Sequence, residues 1–200
     1  MAKLHFIHST MNAGKSLDLL KVEHNYRERD MHCLLLTAAI DNRFGTGKIT
    51  TRVGISADAA VFSPEDNMLE QFLREAASNG VACVLIDVAQ FLTRAQVLQI
   101  CEAVDNVGLP VMAWGLRTDF RGDLFEGSQA LMALADELRP MHTVCHCGKR
   151  ATMVLRKDEN GVPTLQGGQV QVGGNETYVA LCRRHWSQAH AEATNSLAAE

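Results

Sequence analysis

The chain has 200 residues, 46% hydrophobic and 21% charged, with a net charge of −4, the balance of an ordinary globular protein with one core or a core and a small satellite. That charge offers no basic field to nucleic acid or an anionic membrane. No apolar run reaches the ~18 residues of a membrane span, and the opening MAKLHFIHST is too short in apolar residues for a signal peptide, so the cytoplasm is the expected compartment.

Residues 3–8, KLHFIH, read as a short strand, and STMNAGKS follows at 9–16. From Ser16 to about Arg29, Leu17, Leu20 and His24 recur at a helical spacing. HCLLLT (32–37) is apolar throughout, the mark of a strand buried on both faces. Residues 38–55 are polar and contain glycine, and give no regular element. EDNMLEQFLREAAS (66–79) opens with acids and closes before Asn79-Gly80, as a helix does. VACVLID (81–87) is a second buried strand, and TRAQVLQICEAVDNVG (93–108) an amphipathic helix stopped by glycine. LPVMAWG (109–115) is a third buried strand, and GSQALMALADEL (127–138) another helix. Apolar strands alternating with helices predict an α/β fold with a parallel sheet flanked by helices.

The alternation stops near Pro140, and CHCGKR, ATMVLRK, LQGGQVQVGGN and TYVALCRRHW then read as short β-ribbons. The predicted division is a nucleotide-binding domain at 1–140, a ribbon module at 141–186 and a tail at 187–200. The tail, small and polar, is expected as a frayed helix or disordered. No internal repeat is visible.

Gly14-Lys15-Ser16 follows a strand and opens a helix, the context of a phosphate loop. Amides of residues 9–16 (Ser9, Thr10, Met11, Asn12, Ala13, Gly14, Lys15, Ser16) would face phosphate oxygens, aided by the helix dipole. Lys15 would neutralise β/γ-phosphates and Ser16 would ligate Mg²⁺. The full motif expects glycine where Ser9 stands. A carboxylate at the end of another strand completes such sites, which assigns Asp87 to Mg²⁺. The expected architecture is that of a P-loop NTPase.

Six cysteines are present. Cys33, Cys83 and Cys101 lie in apolar runs and read as small buried residues. Cys145, Cys147, Cys182 and His185 form two ligand pairs on ribbon turns, which suits a tetrahedral structural zinc, with His142 and His146 as substitutes for His185. A module with few apolar residues needs such a staple. Lys149, Arg150, Arg183 and Arg184 would suit a nucleic-acid-binding zinc ribbon, but the acidic balance and the phosphate loop argue against one.

MNAGKS (11–16), DNRFG (41–45), D..QF (87–91), GLRTDFRG..F (115–125), CHC (145–147) and GGNETYVALCRRH (173–185) span the chain to about residue 186. In this order they resemble the bacterial thymidine kinases of the cytosolic, zinc-containing type. The resemblance implies transfer of the γ-phosphoryl of ATP to the 5′-hydroxyl of thymidine. It implies Gln90 beside the transferred phosphate, and Arg43 with Asp41 organising charge nearby. Met11, Leu116 and Phe120 would wall the base pocket. Residues 165–178, with Gly173, Gly174 and Tyr178, would form a lasso over thymine, their backbone reading its edge. Glycines there allow close approach, and an aromatic such as Phe120 offers a stacking face. Met11 and Phe120 as core residues, and Tyr178 as ribbon packing, are the plainer alternatives. Members of this family are often homotetramers inhibited by the end-product triphosphate.

One position departs. The family pattern at 87–91 is Asp-Glu-x-Gln-Phe, with the glutamate as proposed general base, and this chain has Val88. Valine accepts no proton. Two expectations follow: a thymidine kinase with depressed turnover, or a nucleoside- and nucleotide-binding homologue that no longer turns over.

Overall fold

Alternating side chains on a set of parallel strands dictate the fold in the computed structural model, which describes residues 1–171, 173 and 176–197. β1 (Leu4–Ser9) leads into α1 (Lys15–Arg27) and β2 (His32–Ala38). An antiparallel hairpin of β3 (Lys48–Thr50) and β4 (Ser56–Asp58) precedes β5 (Ala60–Phe62). Then come α2 (Met68–Asn79), β6 (Val81–Ile86), α3 (Arg94–Glu102), β7 (Val111–Leu116), α4 (Glu126–Leu134) and β8 (Glu137–Pro140). Six strands form one sheet in the order β5-β2-β6-β7-β1-β8, and every pairing in it is parallel.

Leu4, Phe6, Leu34, Leu36, Val84 and Ile86 turn to one face and meet Phe72, Val97, Ile100 and Leu131 of α2, α3 and α4. Ile7, Cys33, Leu35, Cys83 and Leu85 turn to the other and meet Leu19 and Leu20 of α1, with Ile49 of the hairpin and Trp114. Burial on both faces is why these strands read as unbroken apolar runs.

Four segments differ from the sequence expectation or lie where it assigns nothing. Residues 136–138 are not the end of a helix: α4 stops at Leu134, and 137–140 form β8 at the sheet edge. All four of its residues are exposed, so ELRP carries no apolar signal. Its place is fixed by pairing with β1, from His5↔Glu137 to His8↔Pro140, and by Leu4 N–H donating to Asp136 Oδ2 at 2.7 Å. Residues 38–55 hold β3 (Lys48–Thr50), whose partner β4 begins at Ser56; only Ile49 in the pair is fully buried, too little for a visible pattern. The helix predicted for 93–108 starts under a Thr93–Gln96 capping box and passes into a π-helical turn (Ala103–Val107) ended by Gly108.

Beyond β8 the chain folds into two ribbons, β9 (Thr143–Val144) with β10 (Arg150–Ala151), and β11 (Met153–Arg156) with β12 (Tyr178–Leu181). α5 (Arg183–Leu197) then runs unbroken across residue 186, so the fourth difference is a tail that continues a helix begun at Arg183, just after Cys182. Among the described residues, no helix is long and apolar enough to cross a membrane.

Candidate functional site

The C-terminal ends of β1, β6 and β7 open into a cleft of about 460 Å³, the edge at which parallel sheets bind ligands. After β1 the loop turns twice through left-handed backbone, at Asn12 (φ 64°) and Gly14 (φ 78°). Nothing lies within 4 Å of where a Cβ at Gly14 would stand, so glycine is there for the dihedral, not for space. α1 begins at the next residue, and Met11, Asn12, Ala13, Gly14, Lys15 and Ser16 line the cleft. Its helix dipole thus opens into the cleft. Ser9 and Thr10 instead border a small hollow behind the loop. They act through Lys15, whose Nζ donates to Thr10 O (2.7 Å) and Ser9 Oγ (3.1 Å). Burial lowers the Lys15 ammonium to about 8, partly opposed by Asp87, with Arg43 and Arg52 adding to the decrease.

β7 lies between β1 and β6, yet the first turn of α1, which follows β1, meets the end of β6 across it: Ser16 Oγ–H donates to Asp87 Oδ2 at 2.7 Å. Burial raises the Asp87 carboxyl; Ser16, the Val88 N–H and Lys15 oppose that shift. Within the protein's own field both Lys15 and Asp87 are therefore pushed toward neutrality. A divalent cation and a polyphosphate would reverse both pressures. Hydroxyl and carboxylate are hard oxygen donors at hydrogen-bond separation, a donor pair that fits Mg²⁺. Arg43 donates through Nε and Nη2 to both oxygens of Asp41, 2.7 Å each, on the cleft wall.

Val88 lines the cleft, 7% exposed, in left-handed backbone (φ 48°, ψ 38°). That conformation costs an L-residue about 1–2 kcal/mol, and a β-branched one is an outlier there. Its N–H donates to Asp87 Oδ1 at 3.0 Å. A short 3₁₀ turn (Ala89–Phe91) follows. Gln90 lines the cleft, with its Oε1 accepting from Leu116 N–H at 3.0 Å. This close approach needs Gly115, whose Cβ would meet Gln90 N at 3.1 Å.

Part of the cleft lining is apolar. Met11, Leu116, Phe120 and Tyr178 line the cleft, as does Gly173; Gly174 falls outside the described residues. Tyr178 O–H donates to Gln171 O at 2.8 Å, tying the loop at Gln171 to β12. The sequence reading did not assign Phe91 and Phe125, which meet edge to face (6.1 Å between centroids) and line the same cleft. Their signal lay in the matched stretches themselves, D..QF and GLRTDFRG..F. Arg156, buried beside Phe120, also went unassigned, since one arginine in a ribbon strand looks like a solvated charge.

Cys145, Cys147, Cys182 and His185 converge, their ligand atoms within 4.8 Å of one another. Cys145 Sγ and Cys182 Sγ each lie 3.4 Å from His185 Nδ1, and Cys147 Sγ lies 3.9 Å from Cys182 Sγ. A tetrahedral zinc with Zn–S near 2.3 Å has edges of about 3.4–3.8 Å, so the residues fit the metal. His185 holds the fourth corner; His146 stacks on it, 4.3 Å between centroids. Burial raises the Cys145 thiol, but the Cys147 and Cys182 N–H groups and His185 outweigh it and lower it to about 6.

Trp186, next to the ligand His185, donates through Nε1 to Phe120 O (3.0 Å) and Val154 O (3.1 Å), so the cluster and the apolar wall are held together.

The family model described as Thymidine kinase matches residues 2–186. A thymidine kinase of Ruegeria pomeroyi is 54% identical over 189 residues, covering 94% of this chain and 96% of the relative. One of Mannheimia succiniciproducens is 53% identical over 188 residues, covering 94% and 96%, and one of Haemophilus influenzae is 50% identical, covering 94% and 97%. A single cleft lined by the 11–16 loop, Asp87 and several aromatic side chains is in keeping with these matches, and the chain belongs to the thymidine kinase family.

Proposed function

We propose that this chain binds ATP and thymidine and transfers the γ-phosphoryl group to the thymidine 5′-hydroxyl, giving dTMP, with turnover depressed by Val88. The observation that carries the reading is the continuity of the cleft: phosphate loop, Ser16–Asp87 pair and aromatic pocket line one space. In this reading the loop amides and Lys15 hold the phosphates, and Arg43, anchored by Asp41, adds positive charge. Ser16 and Asp87 would hold Mg²⁺, which would supply charge neutralisation for the phosphates. Met11, Leu116 and Phe120 wall the base, and the backbone of the 165–178 segment reads its edge. Cys145, Cys147, Cys182 and His185 hold a structural zinc. The reading carries a cytoplasmic protein and a homo-oligomer, tetrameric by family resemblance.

Phosphoryl transfer depends mainly on positioning and charge stabilisation. Loss of the base therefore lowers the rate and leaves nucleotide binding intact. Val88 also favours a second reading, a homologue that binds nucleoside and nucleotide without turnover. Calorimetry with thymidine and with ATP-Mg²⁺, beside a coupled kinase assay, tests both. Binding of both ligands with slow dTMP formation supports the first reading. Binding with no dTMP supports the second, and absence of both binding events rejects the pair.

A further inference from the structure

Arg156 at the end of β11 is 3% exposed. A buried guanidinium normally has a carboxylate beside it, yet no ion pair of Arg156 is present among the described residues. Its Nη1 donates to Gly168 O at 2.9 Å and its Nη2 to Gln166 O at 2.5 Å. Its Nε is buried, with no hydrogen-bond partner among the described residues. The guanidinium carbon lies 3.7 Å from the centroid of the Phe120 ring, a close cation–π stack. Two backbone carbonyls and one aromatic face thus take the place of a counter-ion. The loop side is shaped to this contact: a Cβ at Gly167 would stand 2.6 Å from Arg156 Nη2.

We infer that Arg156 is a positioning residue that latches the 157–171 loop onto the Phe120 ring, coupling closure of that loop to stacking of the pyrimidine base. The inference rests on the proposed function for the identity of the base, and its structural part does not. A carboxylate partner would hold the side chain whether the loop were open or closed. Carbonyls of residues 166 and 168 hold it only when the loop is down. Planar Arg supplies two directed donors and a stacking face at once, a combination that Lys lacks.

The test uses the full chain. Arg156→Met removes both donors and the stack; Arg156→Lys keeps the charge; Gly167→Ala disturbs the contact from the loop side. Calorimetry reads thymidine and ATP-Mg²⁺ separately, and thermolysin reads the loop, which offers Val162, Leu165 and Val170. Arg156→Met and Gly167→Ala should weaken thymidine about tenfold or more and speed cleavage within 157–171. ATP-Mg²⁺ affinity should stay within about twofold, and Arg156→Lys should recover part of the thymidine loss. Thymidine affinity unchanged in Arg156→Met, or an equal loss for both ligands, overturns the coupling. If the parent chain binds no thymidine, the proposed function fails; loop cleavage then decides the latch, which faster cutting of Arg156→Met supports and unchanged cutting overturns.

Discussion

Replacing Val88 by Glu should raise thymidine phosphorylation by roughly 10²–10⁴-fold, the usual contribution of a general base. At about 1.36 kcal/mol per tenfold, that is about 2.7–5.4 kcal/mol off the barrier. The structure favours the exchange in two ways. Val88 already lines the cleft beside Asp87, so no backbone has to move to deliver a carboxylate. The left-handed backbone at this position (φ 48°) crowds a β-branched side chain, and glutamate is unbranched there. Asp87 next door raises the new carboxyl through like-charge repulsion, so the rate should climb with pH through that group's titration. The assay is initial rates with saturating ATP and thymidine across pH 5–9, with Val88→Gln as control. Glutamine matches the length and accepts no proton, so its rate should stay within about tenfold of the parent. If Val88→Gln accelerates the reaction as much as Val88→Glu, or if neither does, the missing-base account is refuted.

Gly127→Ala would set a Cβ 2.6 Å from Leu92 O and 2.7 Å from Ala89 O, both backbone atoms that cannot swing aside. It should cost about 1–3 kcal/mol in a urea titration; an unchanged midpoint would show that α4 does not press on the turn after Asp87. For the unliganded protein, the Lys15 ammonium titrates at about 8, well below the 10.5 of a free lysine. Between those values the unfolded chain holds more protons, so Lys15 should make stability rise with pH by about 1–3 kcal/mol, allowing for solvent in the open cleft. Urea midpoints of Lys15→Met should lack this rise, and parallel curves for parent and variant would contradict the buried-charge argument. Metal analysis should find one zinc per chain bound at the four-ligand cluster, and chelation should unfold the ribbons first, as read by emission of Trp186 in a Trp114→Phe background. A metal-free chain with unchanged emission and stability would refute the site.

The central sheet was legible because β2, β6 and β7 are buried on both faces, which leaves unbroken apolar runs in the sequence. β8 was not, because an edge strand held by pairing needs no apolar residues at all. The loop at 9–16 was legible from three residues between a strand and a helix, and the convergence of Cys145, Cys147, Cys182 and His185 from their spacing and chemistry. What stayed hidden acts through other residues. Ser9 and Thr10 belong to the loop by sequence but touch the cleft only through Lys15. Arg156 carries no motif, and its importance is a matter of three-dimensional company: a ring behind it and two carbonyls in front. No sequence period encodes such company.

Trp186 sits one residue after His185 and shares its indole hydrogen between carbonyls of Phe120 and Val154. The Cys3His module is consequently no detachable accessory. A protein engineer who swapped it for a foreign zinc finger would have to transplant this indole as well, or leave two carbonyls of the cleft wall without their donor.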